Sequence, residues 1–212
     1  MANGKAPPAL PASEKLILTV EALSDVRTPL EGFCNILNLS LSIQASSRYD
    51  GAMPTKVMTK EQLTPLLQQA RAQKKRIVFT NGCFDLMHVG HTRYLQAAKG
   101  LGDLLVVAVN SDASVRSLNK APDRPIVSDS QRAEVVAALG CVDYVILFNE
   151  PDPQSVIAAL QPDVLVKGGD WAVDRIVGRE IVEARGGVVH TIPLVPGVST
   201  TSLIERIRST TT

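Results

Sequence analysis

Three cysteines in 212 residues, Cys34, Cys83 and Cys141, are too scattered and odd in number for a disulfide framework or a zinc pattern. That usage fits a reducing, cytoplasmic setting. No apolar run approaches the roughly 18 residues that span a bilayer, and the start lacks a basic stretch followed by a long apolar core, so neither a membrane partner nor export is expected. Lys and Arg number 22 against 21 Asp and Glu, and a net charge of +1 gives no bulk pull toward nucleic acid. The sequence contains no GxxxxGK[ST], which removes a P-loop kinase.

What is present describes an ordinary globular chain, with 45% hydrophobic and 20% charged residues and length enough for one domain with a substantial core plus an appendage. The appendage is expected at residues 1–52. Its Ala6-Pro7-Pro8-Ala9-Leu10-Pro11 reads as extended or disordered, and residues 16–20 and 37–43 read as short strands that are marginal alone. Met53 offers an alternative start, with the extension either disordered or foreign to the natural product.

The informative stretch is Thr80-Asn81-Gly82-Cys83-Phe84-Asp85-Leu86-Met87-His88-Val89-Gly90-His91. Before it, Ile77, Val78 and Phe79 suit a buried strand; after it, Tyr94, Leu95 and Ala98 recur at helical spacing until Gly100 and Gly102. A strand turning into a helix places this loop at the carboxyl edge of a parallel sheet, where free helix amides favour phosphate. His88 and His91, three apart at a helix start, should share one face, with Gly90 leaving room for a ligand. Both could donate to one phosphate. Zinc would need further ligands, and the chain offers only His190 and scattered cysteines. Cys83 could be a nucleophile, but no partner signature of a cysteine hydrolase surrounds it.

Gly82-Cys83-Phe84-Asp85 with His88-Val89-Gly90-His91 resembles the signature of the HxGH nucleotidyltransferase superfamily, over about residues 77–207. Within it the chain resembles the adenylyltransferases that make ADP-heptose from D-glycero-β-D-manno-heptose 1-phosphate. The resemblance implies a nucleotidyltransferase domain at 53–212, with the amides near Cys83 and Phe84 used for binding rather than the thiol.

Thr59 and Gln62 fit a capping box for a helix with Leu63, Leu66, Leu67 and Ala70, in which Pro65 would sit near the first turn. Strands are expected at 77–80, 104–109, 144–148, 164–166 and 188–192. Helices are expected near 91–99, 130–139, 153–160, 178–184 and 201–208, with Ser128, Gln131 and Asp152 as start signals. Five strands alternating with helices mean an α/β fold: a Rossmann-like open parallel five-stranded sheet with helices on both faces.

Further motifs fall at strand ends. Asn110, Ser111 and Asp112 follow the second strand as caps or ligand contacts. Lys120, Arg124 and Arg132 are either solvated or, as the resemblance implies, phosphate-binding. Lys167-Gly168-Gly169-Asp170-Trp171 suits phosphate or nucleotide binding, since a core role is unfavourable for the lysine's charge; Trp171 reads equally as a core anchor. The glycerol-phosphate cytidylyltransferases are similar here but carry methionine and Gly-Asp-Asp-Trp, so Lys167 and Gly169 point to the heptose enzymes. Ser199, Thr200 and Thr201 resemble the family's second, triphosphate-binding signature, although Ser202 and Glu205 offer a competing capping box. Cytidylyltransferases place an arginine where this chain has Leu194, which leaves Lys167 to meet transition-state charge.

The resemblance therefore implies adenylyl transfer from ATP to heptose 1-phosphate. His88, His91 and Lys167 would be catalytic, and Asn81, Gly82, Cys83, Phe84, Gly90, Gly168, Ser199, Thr200 and Thr201 nucleotide-binding. Asp85, Asn110, Asp112, Lys120, Arg124, Arg132, Asp170 and Trp171 are substrate or phosphate candidates. Mg²⁺ is expected on ATP, held by phosphate and water rather than by a protein site. A homo-oligomer, dimer or tetramer, is expected. The segment before Ile77 is short for the sugar kinase domain fused to some family members, so a stand-alone enzyme served by a separate kinase and phosphatase is expected.

Overall fold

A computed structural model describes residues 56–118, 121 and 123–210, all within one compact unit, Gly51–Thr212. The division at residue 52, the strands expected at 16–20 and 37–43, and Lys120 lie outside the described residues.

The elements in order are α1 (Lys60–Ala72), β1 (Ile77–Gly82), α2 (Val89–Lys99), β2 (Leu104–Asn110), α3 (Asp112–Ser117), α4 (Asp129–Ala137), β3 (Tyr144–Phe148), α5 (Gln154–Leu160), β4 (Val164–Gly168), a 3₁₀ turn (Val173–Arg175), α6 (Arg179–Glu183), β5 (Val188–Ile192) and α7 (Thr200–Thr210). The strands form one parallel sheet in the order β3-β2-β1-β4-β5. β1 is central, and the chain reverses direction across the sheet there. In open α/β sheets that crossover is where ligands bind, outside the carboxyl ends of the strands.

Alternation along the strands feeds two cores. Ile77, Phe79, Val106, Ala108, Ile146 and Leu165 face one side, against Leu63 and Leu67 of α1 and Ile157 and Leu160 of α5. Val78, Leu105, Val107, Val145 and Val166 face the other, against Leu95 of α2 and Val136 of α4. A strand buried on both faces needs a continuous apolar run, and the inner strands have one.

Several local expectations are corrected. The Thr59–Gln62 capping box forms and sets the start of α1, so Pro65 falls inside that helix rather than in its first turn. Ser128 caps α4 by position only, without a side-chain bond to the helix. α5 begins one residue later than expected, with the Asp152 carboxylate accepting from the Gln154 amide at 2.9 Å. α7 starts from Ser199, whose Oγ accepts from the Ser202 amide at 3.0 Å, so the Ser202–Glu205 box is not used. α3 was not expected; it is six residues long and too short to show an apolar period.

The amino edge of the sheet is pinned by aspartates. Asp163 accepts from the Ile77 amide at 2.8 Å and Asp103 from the Arg76 amide at 2.7 Å. Asp143 accepts from the Leu105 amide at 2.7 Å and pairs with Lys99 at 2.6 Å. These contacts lie at the opposite end of the strands from the β1–α2 corner. Asp143→Ala is therefore expected to cost about 1.5 kcal/mol in urea unfolding, the scale of a charge-assisted hydrogen bond, with substrate KM unchanged. A changed KM would show that the amino edge is coupled to the ligand end.

Candidate active site

The loop from β1 to α2 is folded against its own preferences. Phe84 and Leu86 have φ of +48° and +49°, the left-handed region that side chains other than glycine rarely adopt. Such strain persists only where surroundings impose it, and here Asp85 does. Its side chain is fully buried, and Oδ2 accepts from Arg124 Nε at 2.5 Å and the Ile126 amide at 3.0 Å, while Oδ1 accepts from the Val127 amide at 3.0 Å. Its carbonyl accepts from Thr200 Oγ1 at 2.8 Å. Behind the loop Arg132, 1% exposed, donates to Cys83 O at 2.5 Å, Val127 O at 2.9 Å and Asp112 Oδ1 at 2.8 Å.

On that frame the histidines stack, with ring centroids 4.0 Å apart and planes inclined by 27°. His88 is the N-cap of α2 rather than a residue of its first turn, and the stacked rings share one face as expected. His88 Nδ1 accepts from the Gly90 amide at 3.1 Å, and His91 Nδ1 accepts from the His88 amide at 3.4 Å. With each Nδ1 acting as acceptor, the proton of each neutral ring belongs on Nε2. Burial, then the charges of His88 and Arg124, push His91 down to about 4, against a smaller opposing pull from Asp85. Burial also lowers His88. Both rings are thus neutral Nε2–H donors at pH 7. Gly90 makes the stack possible, because a Cβ there would lie 2.9 Å from the His88 ring.

At the end of β4, Lys167 is 9% exposed and donates to Asn81 Oδ1 of β1. Its Nζ also lies 5.7 Å from the centre of the Trp171 ring, a cation–π distance. Gly168 admits the turn, since a Cβ would sit 2.6 Å from Asp170 Oδ1. These groups, the histidines and the start of α7 line one cavity of about 460 Å³, within the range of small-molecule sites.

A cytidylyltransferase-like family model matches residues 79–210, which takes in the β1–α2 corner and α7. The chain belongs to that family. Its fold is the nucleotidyltransferase fold and its enzyme class nucleotidyl transfer. Similar proteins include "Bifunctional protein HldE" from Syntrophotalea carbinolica, 53% identical over 153 residues, 72% of this chain and 31% of the relative. The protein of the same name from Pseudomonas syringae is 54% identical over 152 residues, 72% of this chain and 32% of the relative. The chain thus spans about a third of the length of these curated relatives. Pantoate-beta-alanine ligase from Francisella tularensis shares the fold, with a TM-score of 0.50 at 12% identity over 74% of this chain and 77% of the ligase.

The expected residues divide into those that line the cavity and those that stand behind it. Asn81, Gly82, Cys83, Phe84, Asp85, His88, Gly90, His91, Asn110, Arg124, Lys167, Gly168, Asp170, Trp171, Ser199, Thr200 and Thr201 line the cavity. Asp112 and Arg132 do not; they are spent on each other and on loop carbonyls, so they hold the corner from behind. Thr200 lines the cavity but gives its hydroxyl to Asp85. Trp171 is half exposed at the rim and is no core anchor. The sequence reading missed Tyr94, Val195 and Val198 as lining residues. Tyr94 bonds Thr80 Oγ1 at 2.7 Å and had looked like part of the helix's apolar stripe.

Protonation of a histidine whose folded value is depressed opposes folding. Its stabilising contribution is complete above the ordinary 6.5 and declines as pH falls toward about 4 for His91. In ¹⁵N-detected imidazole spectra of the free protein, His91 is expected to remain an Nε2–H tautomer at pH 6 and to titrate near 4; a midpoint near 6.5 would refute its burial as described. Gly90→Ala, by displacing the His88 ring, is expected to lower kcat on the order of 10²-fold with little change in melting.

Proposed function

We propose that the domain transfers an adenylyl group from ATP to D-glycero-β-D-manno-heptose 1-phosphate, releasing pyrophosphate and forming ADP-heptose for lipopolysaccharide core assembly. The observation that carries the transfer chemistry is the stacked, neutral histidine pair at the end of the central strand, with each Nδ1 occupied and each Nε2 left as a donor. The adenine and heptose assignments are supported by Lys167 and Gly169 in the β4 loop and by 53% identity to a relative that carries the HldE name.

An oxygen of the sugar phosphate attacks the α-phosphorus in line. The nucleophile is already anionic, so the protein supplies position and charge stabilisation rather than a base. Nε2–H of His88 and His91 donates to the phosphates, and the amides around Cys83 and Phe84 and at the start of α7 hold the rest. Among the described residues the carboxylates lining the cavity are Asp85, which already accepts from three donors, and Asp170. The ion fits as one carried by the triphosphate and water, where it would neutralise phosphate charge.

The cytidylyltransferase-like match favours a second reading, CTP with glycerol 3-phosphate. Pyrophosphate release is the discriminating measurement. Release with ATP and heptose 1-phosphate, and not with CTP and glycerol 3-phosphate, is expected; the reverse preference would replace the first reading by the second. Silence with every pair would favour a nucleotide-binding sensor. His88→Ala and His91→Ala are each expected to slow turnover about 10²–10³-fold with the fold intact, and near-normal rates would remove them from the mechanism.

A further inference from the structure

One hydrogen bond beside the cavity leaves a hydrogen over. Thr80, 0% exposed in the central strand, and Tyr94, about one helical turn after His91 on α2, join their hydroxyls at 2.7 Å. Each hydroxyl carries one hydrogen, so the bond uses one of the two. Among the described residues Thr80 Oγ1 has no other partner, and its burial keeps water away. If Tyr94 donated, the threonine's hydrogen would be buried without an acceptor, at the full cost of its desolvation. Thr80 therefore donates, and the phenolic O–H of Tyr94, which lines the cavity, is left for something inside it.

Its surroundings narrow the ligand. Burial pushes the Tyr94 phenol well above its ordinary 10, the bond with Thr80 pulls the other way, and the charge of Asp170 adds to the rise. Near neutrality the group is thus a hydrogen-bond donor and never a base. The Asp170 carboxylate that acts on it lines the same cavity, is exposed, and accepts no side-chain hydrogen bond among the described residues. A carboxylate repels phosphate, so the uncharged part of a ligand belongs beside it. A free donor and a free acceptor on one cavity wall suit a group that accepts and donates at once, as a sugar hydroxyl does. Position agrees: Tyr94 follows closely on His91, the proposed phosphate donor, and in both proposed substrates the group bonded to phosphate is a sugar.

We propose that Tyr94 is a specificity-determining residue: its phenolic O–H, turned into the cavity by Thr80, donates to a sugar hydroxyl that in turn donates to Asp170. The sugar is the ribose of ATP or the sugar of the acceptor, which present the same chemistry. No bond is made or broken at Tyr94; it holds the uncharged part of a substrate while the phosphates react. This assignment rests on the transfer reading above and adds a contact that the histidines and the cations do not supply.

The test is calorimetry on the full chain with ATP, heptose 1-phosphate and inorganic tripolyphosphate, which carries no sugar. Tyr94→Phe removes the O–H and keeps the ring. It is expected to weaken one of the two sugar-bearing ligands about 3- to 10-fold and to leave tripolyphosphate unchanged. Loss for ATP assigns the ribose, and loss for heptose 1-phosphate assigns the acceptor's sugar. An analogue lacking the contacted hydroxyl should then bind wild type and variant alike: 2′- or 3′-deoxy-ATP in the first case, a deoxy-heptose 1-phosphate in the second. Thr80→Val, which leaves the phenol but not its orientation, should show a smaller loss for the same ligand and carries the test if the phenylalanine variant unfolds. Unchanged affinity for both ligands in both variants, an equal loss that includes tripolyphosphate, or a loss that persists with every deoxy analogue would overturn the assignment while sparing the transfer reading. A wild-type protein that binds neither ATP nor heptose 1-phosphate would end both.

Discussion

The site depends on one buried carboxylate. Asp85 draws together three segments far apart in the chain: its own strained loop, residues 124–127, and the first turn of α7. Burial alone would raise its pKa, but the Ile126 and Val127 amides and the charge of Arg124 outweigh it and hold the carboxyl below its ordinary 3.8. Its contribution to stability is therefore complete above that value and disappears as pH falls through the depressed one. Buried ion pairs are poor sources of net stability because desolvation offsets most of the attraction. Here the pair fixes arrangement: it makes φ of +48° at Phe84 tolerable and orients the Arg124 fork.

Stability and chemistry sit at opposite ends of the same strands. At the amino edge, aspartates accept from strand-leading amides and close the sheet against its helices. At the carboxyl edge the strands end in Gly82, Asn110 and Gly168, where a small or polar residue lets a ligand approach the backbone.

The architecture was legible because a strand buried on both faces must be continuously apolar, and 104–109 can be little else. The corner was legible because histidine, glycine and histidine at that spacing beside a strand end have few structural uses. Burial of charge was not legible. Arg124 and Arg132 look alike in sequence, two cations in a loop and a helix, yet one lines the cavity and the other is locked behind it by Asp112 and two carbonyls. Which arginine meets a ligand depends on long-range partners, and no local pattern encodes those. The start of α7 was ambiguous for a related reason: Ser199 and Ser202 are both competent caps, and in the fold Ser199 takes the Ser202 amide while Thr200 next to it bonds the Asp85 carbonyl.

Neutral histidines and buried cations divide the electrostatic work in a way that the sequence pattern leaves open. A protonated pair 4.0 Å apart would repel, and stacking with burial keeps both rings uncharged. An uncharged Nε2–H gives direction and selects geometry, but it adds little to the field that an accumulating phosphate charge requires. That field has to come from fixed cations whose charge does not titrate near neutrality. Arg124 lines the same cavity, its side chain 9% exposed, and its charge adds to burial and the His88 charge in lowering His91. The stack and the guanidinium are thus linked: burial does most to lower His91, and the charges of His88 and Arg124 add to it.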